Sequence, residues 1–225
     1  MNKKEIQNTL DYCDVAYEEL SVGQEQSILI TQHGGPIFGP FSDRYPEGLF
    51  WIPDSMQDRN RYQELIDKKI WNIGGDRVWI APEIQFNIRD RNRYRESLDT
   101  PKTIDPGCFS MTQEYDTVHL SQELDLESYN TVTGTMHIRF RRSILKALNP
   151  LRKLPDYDGL MQNLSYCGYE QILDLSGSSE QDIFAEAWDL LQVRTSGTLY
   201  IPMYAPLHGA DHYAPAGNHE TLAEH

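Results

Sequence analysis

The chain has 225 residues, of which 39% are hydrophobic, and its 34 acidic against 20 basic residues give a formal net charge of −14. This length and composition are typical of one large globular domain with a substantial core. The negative field repels phosphate backbones and anionic lipid, and no apolar run approaches the roughly 18 residues of a membrane span, so we expect neither nucleic-acid binding nor membrane insertion.

The cysteines and the N-terminal residues indicate the compartment. Cys13, Cys108 and Cys167 are widely separated and odd in number, which is typical of free thiols in a reducing environment. Residues 1–15 contain two lysines but lack the apolar centre of a signal peptide. We therefore expect a cytoplasmic protein.

The first third of the chain is predicted to contain two helices and two short strands. Apolar side chains recur at helical spacing from residue 3 to residue 20, at Ile6, Leu10, Cys13, Tyr17 and Leu20. We therefore assign residues 1–22 to an N-terminal helical segment that Gly23 ends. The other elements predicted here are strands at 27–31 and 48–52 and a surface helix at 58–69.

Residues 78–88 show the period of two that predicts a half-buried strand of an antiparallel sheet. One parity is apolar and consists of Val78, Ile80, Ile84, Phe86 and Ile88. The other parity is polar apart from a tryptophan and consists of Arg77, Trp79, Glu83, Gln85 and Asn87. Pro82 cannot donate a hydrogen bond to a ladder, so it favours a sheet edge or a bulge at that point.

The second half of the chain contains further segments of strand character. They are residues 117–127, 131–144, 166–175 and 197–204. Residues 178–193 have apolar side chains at helical spacing after a serine cap, which taken alone predicts a helix. Together these segments predict a mostly β protein, an antiparallel β-sandwich over residues 23–205 with an N-terminal helix, followed by a loop or tail at 206–225.

The sequence offers one weak candidate for a metal site. His208, Asp211 and His212 could ligate a metal, but glycine, alanine and proline around them predict a loose surface segment without the rigid placement that zinc requires. We therefore expect neither a metal nor a cofactor.

The best candidate binding surface is the polar face of residues 77–89. An aromatic ring can stack on the C–H face of a sugar while neighbouring guanidinium, amide and carboxylate groups bond its hydroxyls. The candidate substrate-binding residues are Arg77, Trp79, Glu83 and Gln85, together with His137 on the polar face of the strand predicted at 131–144. An ordinary solvated strand face is the alternative.

Three motifs of the first half resemble a known family. They are GGPIFGPF (34–41), GLFWIPDS (48–55) and WNIGGDRVWIAPEIQF (71–86), and the later segments DPGCFSM, SYCGYEQ and AWDLLQV are also similar. These motifs resemble the galactose-mutarotase-like (aldose 1-epimerase-like) superfamily, in particular an uncharacterised bacterial branch with a GGDR-x-W-x-A-P-E signature. The resemblance covers roughly residues 25–205.

The resemblance implies a large antiparallel supersandwich whose concave face binds a monosaccharide or a sugar-derived ligand. It implies that Arg77 holds the sugar and that residues 185–193 form a strand, which we prefer to the helix that their spacing predicts. The histidine motif of the active enzymes is missing, and Trp188, Leu190 and Gln192 stand about where it would be. The resemblance also implies that the sandwich is incomplete at its C-terminus, so that a homodimer could complete it.

Three functions follow from these expectations. The first is a carbohydrate-binding sandwich in which catalysis is unproven. The second is an active aldose epimerase, an isomerase whose acid and base the sequence does not identify. The third is a structural or protein-interaction sandwich without a small ligand.

Overall fold

Two antiparallel sheets form the framework of the protein. The structure is a computed structural model that describes residues 1–195 and residue 200, and the chain divides by its contacts into residues 1–194 and 195–225. All elements below lie in the first unit. One sheet has the strand order β1-β2-β3-β4-β9, with β1 at Tyr17–Ser21, β2 at Ser27–Thr31, β3 at Ile37–Phe41, β4 at Asp76–Ala81 and β9 at Glu186–Leu191.

The other sheet has the strand order β5-β6-β7-β8. Its strands are β5 at Ser110–Glu114, β6 at Thr117–Ser128, β7 at Gly134–Lys146 and β8 at Tyr169–Ser178. The helices of the described residues are α1 at Lys3–Tyr12, α2 at Arg59–Asp67, α3 at Glu83–Phe86, α4 at Tyr94–Ser97 and α5 at Tyr157–Met161. Within the described ranges, no helix is both long and apolar enough to cross a membrane.

The main core lies between the sheets and is built by alternating side chains. On β6 and β7 most even-numbered residues are buried, among them Val118, Leu120, Leu124, Met136, Ile138, Phe140 and Ile144. They belong to one cluster with Ile28, Ile30, Val78 and Ile80 of the five-stranded sheet. The predicted antiparallel sandwich is confirmed, because side chains two residues apart on a strand point to the same face.

A second core lies where helices cover the five-stranded sheet. Ile6 and Leu10 of α1 and Tyr62 of α2 are buried in one cluster with Leu29 and Phe38 of the sheet. The start of α1 is fixed by a capping box, in which the Asn2 side chain accepts from the Glu5 backbone and the Glu5 side chain accepts from the Asn2 backbone. The predicted helix at 58–69 is confirmed as α2.

The prediction of one helix through residue 20 is wrong. Helix α1 ends at Tyr12, and Asp14 has a φ of 53°, which a right-handed helix cannot continue through. Residues Tyr17–Ser21 instead form β1, which pairs with β2 over its full length. The N-terminal segment is therefore part of the sandwich as well as a helix on its surface.

Three further expectations meet different outcomes. Residues 48–52 form no strand, and Phe50 makes an isolated bridge to Val193. The strand implied for 185–193 is confirmed as β9, so the helix that its spacing predicts is wrong. The strand predicted at 197–204 and the tail predicted at 206–225 lie outside the described residues apart from Tyr200.

Candidate functional site

The GGDR motif places two functional side chains on opposite faces of β4. Gly74 and Gly75 have φ of 81° and 73°, and a Cβ on Gly75 would lie 2.5 Å from the Ile37 carbonyl oxygen, so both positions require glycine. This close approach brings the chain into register with β3 at Asp76. Along the strand that follows, Asp76 and Arg77 point in opposite directions.

Arg77 lies at the centre of a buried hydrogen-bond network. Its Nη1 donates to Oδ2 of Asp105 at 2.6 Å, and both side chains are 2% exposed. Its Nη2 donates to Oδ1 of Asn72 at 3.3 Å and to Oε1 of Gln192 at 3.1 Å. Nε1 of Trp79 donates to the same Asp105 oxygen at 2.9 Å. Arg77 thus fixes one carboxylate and two amide groups.

Three tryptophans pack edge to face beside this network. Trp79 pairs directly with Trp188 across β4 and β9, and their ring centroids are 5.9 Å apart. The centroid of Trp71 lies 5.8 Å from that of Trp79 at an interplanar angle of 68°. Trp79 is buried, Trp188 is half-buried and Trp71 is 46% exposed. We call Trp71, Trp79 and Trp188, with Asn72 and Gln192, the tryptophan platform.

The charges beneath the platform balance. Burial lowers the pKa of the Arg77 guanidinium, and the carboxylates of Asp105 and Asp76 oppose that effect. Burial raises the pKa of Asp105, and the Arg77 charge and the hydrogen bond from Trp79 oppose it. Because each group favours the charged form of the other, the platform is polar but carries no net charge at this ion pair.

The predicted site residues do not share one surface. Arg77 and Trp79 are brought together, but β4 ends at Ala81, and Pro82 precedes the short helix α3. The predicted strand over residues 78–88 is therefore wrong beyond Ala81, and so is the polar face that it placed there. A helical turn rotates side chains by about 100° per residue instead of alternating them.

The remaining predicted residues lie elsewhere. Glu83 is half-buried on α3, where burial raises its pKa. Gln85 is buried, and its Nε2 donates to the Phe184 carbonyl oxygen at 3.0 Å. His137 lies on β7 in the other sheet, where its Nδ1 is 2.9 Å from Oδ1 of Asp125. None of these three takes part in the Arg77 network.

Several residues of the platform and of the Arg77 network beneath it could not be found from the sequence. Asp105 stands 28 residues after Arg77 in a loop, and no spacing rule connects the two. Trp71 and Asn72 are separated from the GGDR motif by Ile73 alone, so their position near the signature is the only local signal. Trp188 and Gln192 occupy the positions where the resemblance implied that a histidine motif is missing.

Comparison with known proteins bears on the family of the chain. No protein-family model, curated protein or solved structure matches it. Membership of the galactose-mutarotase-like superfamily therefore stays a prediction from the motifs. What the chain binds has to be inferred from its own side chains.

A second polar network clasps the two sheets together. Arg142 on β7 is 2% exposed, and its Nη2 donates to Oδ1 of Asp76 at 2.6 Å. Its Nη1 donates to the Gly35 carbonyl oxygen at 2.8 Å. The other carboxylate oxygen of Asp76 accepts from Nε2 of Gln171 at 2.9 Å and from the Tyr169 hydroxyl. We call these residues the Asp76 clasp.

Asp189 is an exposed residue of β9 that borders the clasp. It pairs with Val78 across β4 and β9 and so shares a face with Asp76. Its pKa is raised to about 7, first by burial and then by the charge of Asp76 and a hydrogen bond with it, whereas Arg142 and Gln171 oppose the rise. Tyr169, whose pKa burial raises, faces the same carboxylates.

The first prediction concerns this aspartate. Between pH about 4 and about 7 the folded protein holds a proton that the unfolded chain has lost, so the free energy of unfolding should fall as the pH rises through that window. The Asp189→Asn variant is neutral at this position at every pH. Its free energy of unfolding minus that of the wild type should therefore be larger at pH 8 than at pH 5. Urea unfolding at both pH values measures the difference.

The exposed Asp182 supplies the control for that measurement. Asp182→Asn should change stability equally at both pH values, since its carboxylate has no partner in the clasp. A pH profile of Asp189→Asn that is parallel to that of the wild type would contradict the prediction.

Proposed function

We propose that this chain is a carbohydrate-binding β-sandwich protein and that the tryptophan platform is its sugar site. The observation that carries the proposal is the exposed Trp71 ring beside two amide groups that a buried guanidinium orients. Trp71 offers a flat apolar surface of the kind on which the C–H face of a sugar ring stacks. Such a surface next to fixed polar groups is the usual composition of a small-ligand site.

The amide groups supply the polar half of the recognition. The side-chain oxygens of Asn72 and Gln192 accept from Arg77, so their NH₂ groups point away from the guanidinium. Neither nitrogen has a hydrogen-bond partner within the described residues. Two oriented donors beside an aromatic ring suit the hydroxyl oxygens of a sugar. Because the charges of Arg77 and Asp105 balance, the site favours a neutral sugar.

Binding is preferred to catalysis because of the state of Asp105. An epimerase needs a carboxylate or imidazole that can exchange protons with the sugar. The Asp105 Oδ2 already accepts from Arg77 and Trp79, and these two contacts oppose the rise in the pKa of this carboxylate that burial causes. A platform that orients a sugar without an acid–base pair is a binding site.

We also propose a cytoplasmic location. Cys13, Cys108 and Cys167 are all free thiols. Free cysteines persist in a reducing compartment, whereas an oxidising one tends to pair or modify them.

The second prediction tests the platform. Trp71→Ala removes the stacking surface but leaves Arg77 and Asp105 paired, so it should weaken sugar binding about tenfold or more with little loss of stability. Calorimetric titration with a panel of neutral monosaccharides, beginning with galactose and glucose, measures the affinity. Quenching of tryptophan fluorescence by the same sugars provides an independent signal from the three packed rings.

Tyr115→Ala is the matched control, because Tyr115 is a 98% exposed aromatic residue at the turn between β5 and β6. It should bind every sugar as the wild type does. An unchanged affinity in Trp71→Ala, or no binding of any neutral sugar by the wild type, would refute the proposed site.

A further inference from the structure

A shallow groove crosses the outer face of the four-stranded sheet. Its volume is about 490 Å³, within the range of small-ligand sites, and residues of all four strands line it. None of the platform residues belongs to this sheet. The groove is therefore a separate candidate site.

The cross-strand register explains why a groove forms there. Ser110 on β5 pairs with Ser121 on β6, which pairs with Arg141 on β7, which in turn pairs with Asp174 on β8. These side chains form one row across the sheet. The serines of β5 and β6 are short and the arginine and aspartate of β7 and β8 are longer, so the row has a low half beside a raised half.

The adjacent row contains a surface ion pair. Glu123 pairs with Arg139, which pairs with Ser176. Nε of Arg139 lies 3.0 Å from Oε1 of Glu123, so this cation is already neutralised. Ser176 again leaves a low position beside the ion pair.

Arg141 and Asp174 differ from that pair because neither has a partner. They are directly opposite across β7 and β8, yet neither forms a hydrogen bond or an ion pair within the described residues. Both are exposed in the groove. The groove thus presents an uncommitted guanidinium on β7 and an uncommitted carboxylate opposite it on β8, with the hydroxyls of Ser121 and Ser176 at neighbouring positions.

We propose that this groove binds a carboxylated sugar of the hexuronate class. The guanidinium of Arg141 can take a carboxylate in a bidentate pair, which is its preferred geometry. The Asp174 carboxylate accepts hydrogen bonds from sugar hydroxyls, and the hydroxyls of Ser121 and Ser176 donate or accept as needed. Because a chain of net charge −14 repels anions in general, an anionic ligand group needs a cation without a partner, and Arg141 supplies one in this groove.

The experiment compares three probes. Glucuronate carries both the carboxylate and the hydroxyls, glucose lacks the carboxylate, and acetate lacks the ring. Calorimetry should detect glucuronate as the tightest of the three at this groove. The Arg141 side-chain N–H signal in a ¹H–¹⁵N spectrum should shift with glucuronate and stay in place with glucose.

Arg141→Gln keeps a polar side chain and removes the charge, so it should weaken glucuronate binding about tenfold or more, since hydrogen bonds to charged groups are the stronger ones. Arg91→Gln is the matched control, because Arg91 is exposed outside the groove and should leave the affinity unchanged. Thermal melting should show that both variants fold.

Trp71→Ala separates this site from the platform. Trp71→Ala should still bind glucuronate but should lose the binding of neutral sugars. Arg141→Gln should still bind neutral sugars but should lose the binding of glucuronate. The groove assignment is overturned if the wild type binds no glucuronate, if Arg141→Gln binds it as well as the wild type, or if glucose shifts the Arg141 signal equally. It is also overturned if Trp71→Ala abolishes glucuronate binding.

Discussion

Replacing Arg142 with methionine should lower the free energy of unfolding by about 3–5 kcal/mol, the usual cost of leaving one member of a buried ion pair without its partner. Methionine fills much of the same volume but cannot donate to Asp76 or to the Gly35 carbonyl oxygen. The Asp76 carboxylate then stays buried without a cation beside it, although Tyr169 and Gln171 still donate to it. Urea unfolding monitored by circular dichroism measures the loss.

Arg139→Met is the control on the same strand. Arg139 is 69% exposed and pairs with Glu123 at the surface, so its removal should cost no more than about 1 kcal/mol. The double variant Asp76→Asn with Arg142→Met should recover part of the loss, because it removes the unpaired charge as well. Equal losses in Arg142→Met and Arg139→Met would show that the Asp76 clasp does not stabilise the fold.

The sheets were predictable because their strands are half-buried. Thr117–Ser128 and Gly134–Lys146 alternate apolar and polar residues over a dozen positions, and a period of two sustained over that length has no helical equivalent. Residues 178–193 lack such a pattern. Their β9 strand lies at the sheet edge in the described residues, where packing against β4 outweighs the helical spacing of a few apolar residues.

The errors in the first half of the chain have local causes. Tyr17 and Leu20 fit the helical period of Ile6 and Leu10, so the sequence pattern continues although the helix does not. The left-handed Asp14 between them is a backbone feature that periodicity cannot detect. Beyond Ala81 the even-numbered residues stay apolar through α3, which imitates a strand over a segment that is one helical turn.

Only the part of the candidate site that lies on β4 could be predicted from the sequence. Arg77 and Trp79 lie two residues apart on one strand, so parity alone places them on the same face. Asp105 reaches them from a loop and Gln192 from beyond β9, and those contacts depend on the tertiary fold. Sequence patterns report which face a side chain is on, and they carry little information about its long-range partner.

Replacing Asp105 with asparagine should also cost about 3–5 kcal/mol, because Arg77 would be left as a buried cation without its carboxylate. Asparagine has nearly the same shape, and its oxygen can still accept one hydrogen bond from Arg77 or Trp79. The expected loss therefore reports the missing charge rather than a cavity. The near-ultraviolet circular dichroism of the packed tryptophans should weaken, since Nε1 of Trp79 loses its charged acceptor.

Asp99→Asn is the matched control, because Asp99 forms an ion pair with Arg89 in which both side chains are more than 60% exposed. That change should cost no more than about 1 kcal/mol. The double variant Arg77→Met with Asp105→Asn removes both charges and should be more stable than Asp105→Asn alone, although the platform amides then lose the donor that orients them. Sugar binding should be weak in both. If Asp105→Asn unfolds within about 1 kcal/mol of the wild type and binds sugar normally, the buried pair neither stabilises the sandwich nor positions the tryptophan platform.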